Sequence, residues 1–320
     1  GYERIESEND VALSQEAIEV AKNSELVILC VGLTENFESE GMDRFTLDIP
    51  DNQNRLIEEI CKLNKKVVIV LSNGSPILMP WKDTVQAIIT GYLGGEAGAE
   101  AMANCLTGKV NPSGKLAETY PLSLEDTPCY NYYPGTEVSV EYKESIYVGY
   151  RYYDKINKEV LFPFGYGLSY TNFEYSNLEV KDDKENIIIK FKIKNIGEVS
   201  GKEIAQVYIG QKNSKVFKAK KELKGFEKIE LNPTEEKEVI IKIKKEELAY
   251  YDVEENKWCI EQGKYNIYVG KNVEDIVLEA NLELDGVNIN KKFPNVYMTG
   301  KIENVSDNDF EEILGYKIPT

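Results

Sequence analysis

From Ile189 to Lys194 the segment "NIIIKFKIKN" alternates apolar side chains with lysine at a period of two, the pattern of an extended strand with one buried and one wet face. The same period returns in "EIAQVYIG", "KEVIIKIK" and "YNIYVG", and turn signals such as "NPTEE" and "EQGK" separate these runs. From about Tyr170 onward the chain is therefore expected to form an antiparallel sandwich of roughly immunoglobulin type. Upstream, from Val11 to about Gly114, the period is different. "ALSQEAIEVAKNS" predicts a helix with Leu13, Ala17, Val20 and Ala21 on one face, and "ELVILCVG" is a continuous apolar run that predicts a strand buried on both sides. "DNQNRLIEEICKLN" predicts a helix with Asp51 as N-cap and Leu56, Ile57 and Ile60 inward, followed by a strand in "KVVIVL". "QAIITGYL" predicts a third buried strand and "GEAGAEAMANCLTG" a small-residue helix ending at Gly108. The expected fold class is α/β, a mostly parallel sheet with helices on both faces, followed by the all-β sandwich.

A bridge from Pro121 to Tyr170 is rich in Tyr, Pro and Gly, and its aromatics are expected to pack between domains, although a sugar-binding wall would look similar. The tail from Gly286 to Thr320 has one amphipathic turn, "DNDFEEILG", and otherwise reads as an extended surface segment. The expected organisation is an α/β domain over 1–120 that lacks its N-terminal strands, the interdomain segment 121–170, the sandwich 171–285 and the tail 286–320.

Lys plus Arg is 38 against Asp plus Glu at 55, a net charge of −17 that repels phosphate backbones and makes nucleic acid an unexpected partner. No run approaches the roughly 18 apolar residues of a membrane-spanning helix. The five cysteines, Cys30, Cys61, Cys105, Cys129 and Cys259, are widely spaced inside apolar patterns and are expected to be buried reduced thiols. The chain has no histidine, which removes Ser-His-Asp and Cys-His catalysis and histidine-ligated zinc; any acid or base must be carboxyl, tyrosine, lysine or cysteine. Gly1 to Val11 is polar and acidic, with no initiator methionine or signal peptide, and the chain is expected to be a fragment or one part of a split protein.

The stretch "TENFESEGMDRFTLDIPDNQ" follows the first apolar strand directly and holds Glu35, Glu38, Glu40, Asp43 and Asp51. In a parallel α/β sheet ligands bind beyond the carboxyl ends of the strands, where this loop lies. Glu35 and Glu38 are expected to be solvated, whereas Glu40 precedes Gly41, where the backbone can turn tightly and present the side chain. The stretch lacks the register of a calcium loop. "LGGEAGAEA" lacks the Lys-Ser/Thr of a phosphate loop and reads as close helix-to-sheet packing.

Taken in order, "VGLTENFESEGMDRFTLDIPDNQNRLI", "GGEAGAEAMANCLTGKVNPSGKLAETYP", "VGYRYYD" and "LFPFGYGLSYTNFEYS" resemble the C-terminal half of a glycoside hydrolase family 3 β-glucosidase. "GKEIAQVYIG", "KELKGFEKIELNPTEEKEVIIKI" and "ELAYYDVEENKWCIEQGKYNIYVG" continue the resemblance through that family's fibronectin type III-like domain, so that it covers essentially residues 1 to 285. The resemblance implies a retaining exo-β-glucosidase in which a separate barrel carries the aspartate nucleophile. The α/β domain then carries the acid/base, which maps onto Glu40 in "ESEGMDR". Asp43 and Arg44 belong to the same motif, either as sugar contacts or as an ion pair bracing the loop. Expected partners are a β-glucoside or cello-oligosaccharide substrate and the missing N-terminal barrel segment, with no cofactor, no metal, no nucleic acid and no membrane, and a cytoplasmic location. The chain alone is expected to be inactive. The alternatives are a noncatalytic sugar-binding or interaction fragment, or a β-xylosidase or arabinofuranosidase of the same family.

Overall fold

The computed structural model describes residues 1–3, 10–63 and 66–319, which form two compact units, Gly1–Val110 with Tyr120–Leu124, and Asn111–Thr119 with Glu125–Thr320. In the first, α1 (Asp10–Lys22), β1 (Leu26–Gly32), α2 (Asp51–Cys61), β2 (Lys66–Ser72), β3 (Ala87–Thr90) and α3 (Gly98–Leu106) follow one another. The strands form a parallel sheet in the order β1-β2-β3, with Leu26 to Gly32 aligned on Lys66 to Ser72 and Val68 to Leu71 on Ala87 to Thr90. Strand β2 is central, and its Val67, Ile69 and Leu71 are buried together with Leu56, Ile57 and Ile60 of α2, as the helical spacing required.

Five local expectations need correction. Asp51 is the first helical residue and not the cap: Pro50, held at φ −49° and ψ 136°, occupies the cap position, so the Asp51 carboxylate acts on the positive end of the helix. Strand β1 is not buried on both sides, since Leu26, Ile28 and Cys30 are exposed. Among the described residues it is an outer strand, and apolar composition records what a strand can pack against, not which neighbours it has. Val20 of α1 is likewise exposed, and neither β3 nor α3 contains a fully buried residue. Finally, all five cysteines are free thiols, but only Cys259 is buried. The Asn64 end of the second helix reading lies outside the described residues.

In the second unit, α4 (Tyr150–Ile156) precedes β4 (Phe173–Asp183), β5 (Asn186–Asn195), β6 (Gly201–Gln211), β7 (Glu222–Leu231), β8 (Glu236–Lys244), β9 (Tyr250–Asp252), β10 (Lys257–Cys259), β11 (Gly263–Gly270) and β12 (Ile276–Leu284). The antiparallel sheets β12-β11-β6-β7 and β4-β5-β8 supply the inward residues of one core, among them Ile187, Ile189, Phe191 and Ile193 of β5 and Val239, Ile241 and Ile243 of β8. The lysines of the alternating run lie on the wet face, where Lys190 meets Glu238 at 2.9 Å and Lys192 meets Glu236 at 2.7 Å, solvent-screened contacts that add little to stability. Strand β6 is buried on both faces: Val207 and Ile209 join the sandwich core, while Tyr208 packs with Tyr150 and Val273.

The tail is more structured than its composition suggested. It forms α5 (Asn295–Thr299) and α6 (Asp307–Leu314), the latter capped by Ser306, whose hydroxyl accepts from the Asp309 N–H. Tyr297, Ile302, Val305 and Phe310 of the tail close a core with Tyr147, Tyr152 and Tyr153 of the aromatic bridge. The phenol of Tyr147 donates to the Tyr297 carbonyl, and that of Tyr297 to the Lys143 carbonyl at 3.1 Å. These bridge rings are interior, so they form no sugar-stacking wall.

Candidate active site

The carboxyl ends of β1 and β2 release two loops, residues 33–50 and 73–86, and the candidate residues sit on the first. The two strands must lie very close where these loops begin: a Cβ on Gly32 would stand 2.0 Å from the Ser72 carbonyl oxygen. The buried amide of Gln53, in the first turn of α2, clamps Gly32 from both sides, accepting from its N–H at 2.8 Å and donating to its carbonyl at 2.9 Å. The first loop thus starts from a fixed point. It rejoins the second at a main-chain bond from the Leu78 N–H to the Leu47 carbonyl at 2.9 Å.

Between these anchors Glu38 reaches across. Its Oε2 accepts from the Gly74 N–H at 2.7 Å and its Oε1 from the Ser75 hydroxyl at 2.5 Å. The expectation that Glu38 is simply solvated is therefore wrong: a half-buried carboxylate with both oxygens engaged by donors across the cleft is an anchor. Arg44 joins the same point, its Nη1 donating to Ser75 Oγ at 2.7 Å and to the Pro76 carbonyl at 3.0 Å. Burial lowers the Arg44 pKa, and the negative charges of Glu38 and Asp48 oppose that shift. Asp43 is exposed and is not among the charges acting on Arg44, so the brace runs from Arg44 to Glu38 through Ser75, and the Asp43–Arg44 pair read from the motif is not what holds the loop.

Glu40 stands apart from this network. It occupies the second position of a turn closed by the Met42 N–H on the Ser39 carbonyl at 3.4 Å, with Gly41 next at φ +78° in the left-handed region that favours glycine. Its carboxyl is exposed and makes no hydrogen bond among the described residues, as are the side chains of Met42 and Phe45 on the same loop. A carboxyl without committed partners at the tip of a braced loop can lose and regain a proton towards a ligand, whereas that of Glu38 is held as an acceptor. Glu35 is exposed, as expected.

Sequence reasoning missed the second loop. Asn73, fully buried, donates to the Ser75 carbonyl at 2.8 Å and to the Tyr120 hydroxyl at 3.0 Å, and accepts from Thr90 Oγ1 at 3.1 Å, fixing the positions that Glu38 and Arg44 grip. The available signal was "LSNGSP" directly after the second strand, a turn at the carboxyl edge of a parallel sheet. Among the described residues no cluster of three metal-ligating side chains occurs.

The model for the glycosyl hydrolase family 3 C-terminal domain matches residues 2–170, and that for a fibronectin type III-like domain matches residues 203–273. The chain is 46% identical to thermostable beta-glucosidase B of Acetivibrio thermocellus, covering 98% of this chain and 42% of the relative. It is 42% identical to an exo-alpha-(1->6)-L-arabinopyranosidase of Bifidobacterium breve, covering 87% of this chain and 37% of that protein. Its fold matches the crystal structure of a beta-glucosidase from Kluyveromyces marxianus in complex with glucose at a TM-score of 0.84 and 37% identity, over 88% of this chain and 34% of that one. The chain thus spans about two fifths of the length of the curated relatives it matches.

Proposed function

Because the chain belongs to glycosyl hydrolase family 3, we propose that it is the acid/base-bearing part of a retaining exo-β-glucosidase acting on terminal nonreducing β-glucosyl residues of β-glucosides and cello-oligosaccharides. Retaining hydrolysis uses two carboxyl groups roughly 5 Å apart across the anomeric carbon, one attacking and one protonating the departing oxygen. Glu40 is the proton donor in this reading and then the base that activates water; the attacking carboxylate comes from another part of the parent protein. The observation that carries the assignment is the contrast between Glu40, exposed and unbonded on its turn, and Glu38, bonded through both oxygens. Arg44 holds the loop, and the exposed Asp43 remains available to a sugar hydroxyl.

The test is turnover of Glu40→Ala in the parent enzyme on cellobiose and on a dinitrophenyl glucoside, with and without azide. Cellobiose turnover should be lost, the activated substrate should still be cleaved, and azide should restore sugar release as a glycosyl azide of retained configuration. Normal cellobiose turnover, or rescue by azide in a Glu38→Ala enzyme instead, would move the acid elsewhere. A second reading of the sugar is favoured by the arabinopyranosidase relative. Rates on aryl glucosides, xylosides and arabinopyranosides decide it, and preference for a pentopyranoside overturns the glucosidase assignment while leaving the role of Glu40 intact.

A further inference from the structure

In a chain with 55 acidic against 38 basic residues, a place where ammonium groups outnumber carboxylates stands against the composition. The second unit has one. A pocket of about 720 Å³ beside the connection from β6 to β7, strand β11 and α4 is lined by Lys155, Lys212, Lys218, Lys220 and Lys264, with Glu279 as the carboxylate in its described lining. Two of these lysines are partly neutralised: Lys218 meets Glu261 at 3.1 Å, and Lys220 shares Asp154 with Lys221 at 3.5 and 2.7 Å. The other three are not. Half-buried Lys155 donates to the Lys218 carbonyl at 2.9 Å and lies over the Tyr147 ring at 6.0 Å, while exposed Lys212 and Lys264 form no ion pair among the described residues. Burial lowers the Lys155 pKa, and no carboxylate counters it.

We propose that this pocket binds the phosphate group of a small phosphorylated sugar. Three ammonium groups without carboxylate partners can each give a charge-assisted hydrogen bond to a phosphate oxygen, and lysine serves such an anion as a compact point charge. Beside them Asn213 and Asn266 offer neutral amides for sugar hydroxyls, and the Tyr268 ring, whose hydroxyl accepts from Asn266 at 3.2 Å, supplies an apolar wall. The volume exceeds what an inorganic ion needs and falls in the range of small-molecule sites, about 300–1,000 Å³. The net charge of −17 opposes a long polyanion, which leaves a small ligand as the occupant.

The experiment is calorimetric titration of the chain at low ionic strength with glucose 6-phosphate, inorganic phosphate and glucose. Saturable binding of glucose 6-phosphate is expected, weaker binding of phosphate and none of glucose. A Lys212→Ala/Lys264→Ala double variant should lose affinity by about tenfold or more, the equivalent of about 1.4 kcal/mol. The control is Lys190→Ala/Lys192→Ala on β5, which removes the same charge away from the pocket and should bind as the unaltered chain does. Absence of saturable binding, or an equal loss in the control, overturns the proposal; equal affinity for phosphate and glucose 6-phosphate overturns its sugar component.

Discussion

Glu38 and Arg44 are joined through a single hydroxyl: Ser75 Oγ donates to Glu38 at 2.5 Å and accepts from Arg44 Nη1 at 2.7 Å. Those residues lie on either side of the Ser39–Met42 turn, so one side chain of the second loop fixes both ends of the segment that carries Glu40. The candidate acid is free to move only as a side chain, because its main chain is tied down.

Glu38→Ala leaves the Gly74 N–H and the Ser75 hydroxyl without their acceptor, and leaves Arg44 with Asp48 as its remaining counter-charge. An unfolding free-energy loss of about 1–3 kcal/mol is expected in chemical denaturation of the chain, with Glu38→Gln losing less. In the parent enzyme the same change should slow good and poor leaving groups alike, without rescue by azide. A shift below about 0.5 kcal/mol would show that the network is idle.

Gly32→Ala and Gly41→Ala should separate stability from activity. The first puts a methyl group 2.0 Å from the Ser72 carbonyl oxygen and forces the main chain apart, a cost of about 3 kcal/mol or more. The second meets nothing within 4 Å, and only its φ of +78° opposes it, by about 1–2 kcal/mol. In the parent enzyme Gly41→Ala should lower kcat by displacing Glu40, with a melting temperature above that of Gly32→Ala. The reverse order of melting temperatures would refute this account of the two glycines.

The isolated chain should not hydrolyse aryl glucosides. In the proposed reading the attacking carboxylate lies elsewhere in the parent protein, so the chain alone would lack the covalent route and the orientation of substrate that the rest of the site supplies. Assay of the purified chain, alone and mixed with the remaining part of its parent, checks this; turnover by the chain alone would contradict it.

Alkali should unfold the second unit. Burial raises the phenols of Tyr147, Tyr152, Tyr153 and Tyr297 above their ordinary 10.0, with Glu303 adding to the effect at Tyr152. In the unfolded chain these groups ionise near 10, so the fold keeps its full stability below that pH and loses it as the pH climbs further. Melting temperature between pH 8 and about 11.5, followed beside phenolate absorbance, tests the sign. Simple titration of every tyrosine near 10 with no fall in stability would count against it.

The sandwich was legible because Ile189 to Lys194 carries its burial in its own period, and Val239, Ile241 and Ile243 answer it on the neighbouring strand. The turn that presents Glu40 was legible through the glycine that follows it. The role of Glu38 was not, because its partners Gly74 and Ser75 lie 36 and 37 residues further along and neither has a charge to announce the contact. The exposure of Leu26 and Ile28 was equally hidden, since an apolar run looks the same in the middle of a sheet as at its margin. In the tail, Tyr297 and Ile302 are too sparse to show a period, yet both are fully enclosed by the aromatic bridge.

Strand β1, with Leu26, Ile28 and Cys30 open on one side, gives this chain a colloidal character at odds with its charge. At neutral pH and low salt, a charge of −17 keeps copies apart, so the greasy strip, open among the described residues, is sheltered by repulsion. Salt that shortens the reach of that repulsion, or acid that quenches the carboxylates, removes the shelter while leaving the strip unchanged. Clouding of the solution would then begin at an intact outer strand, before any part of the molecule had unfolded.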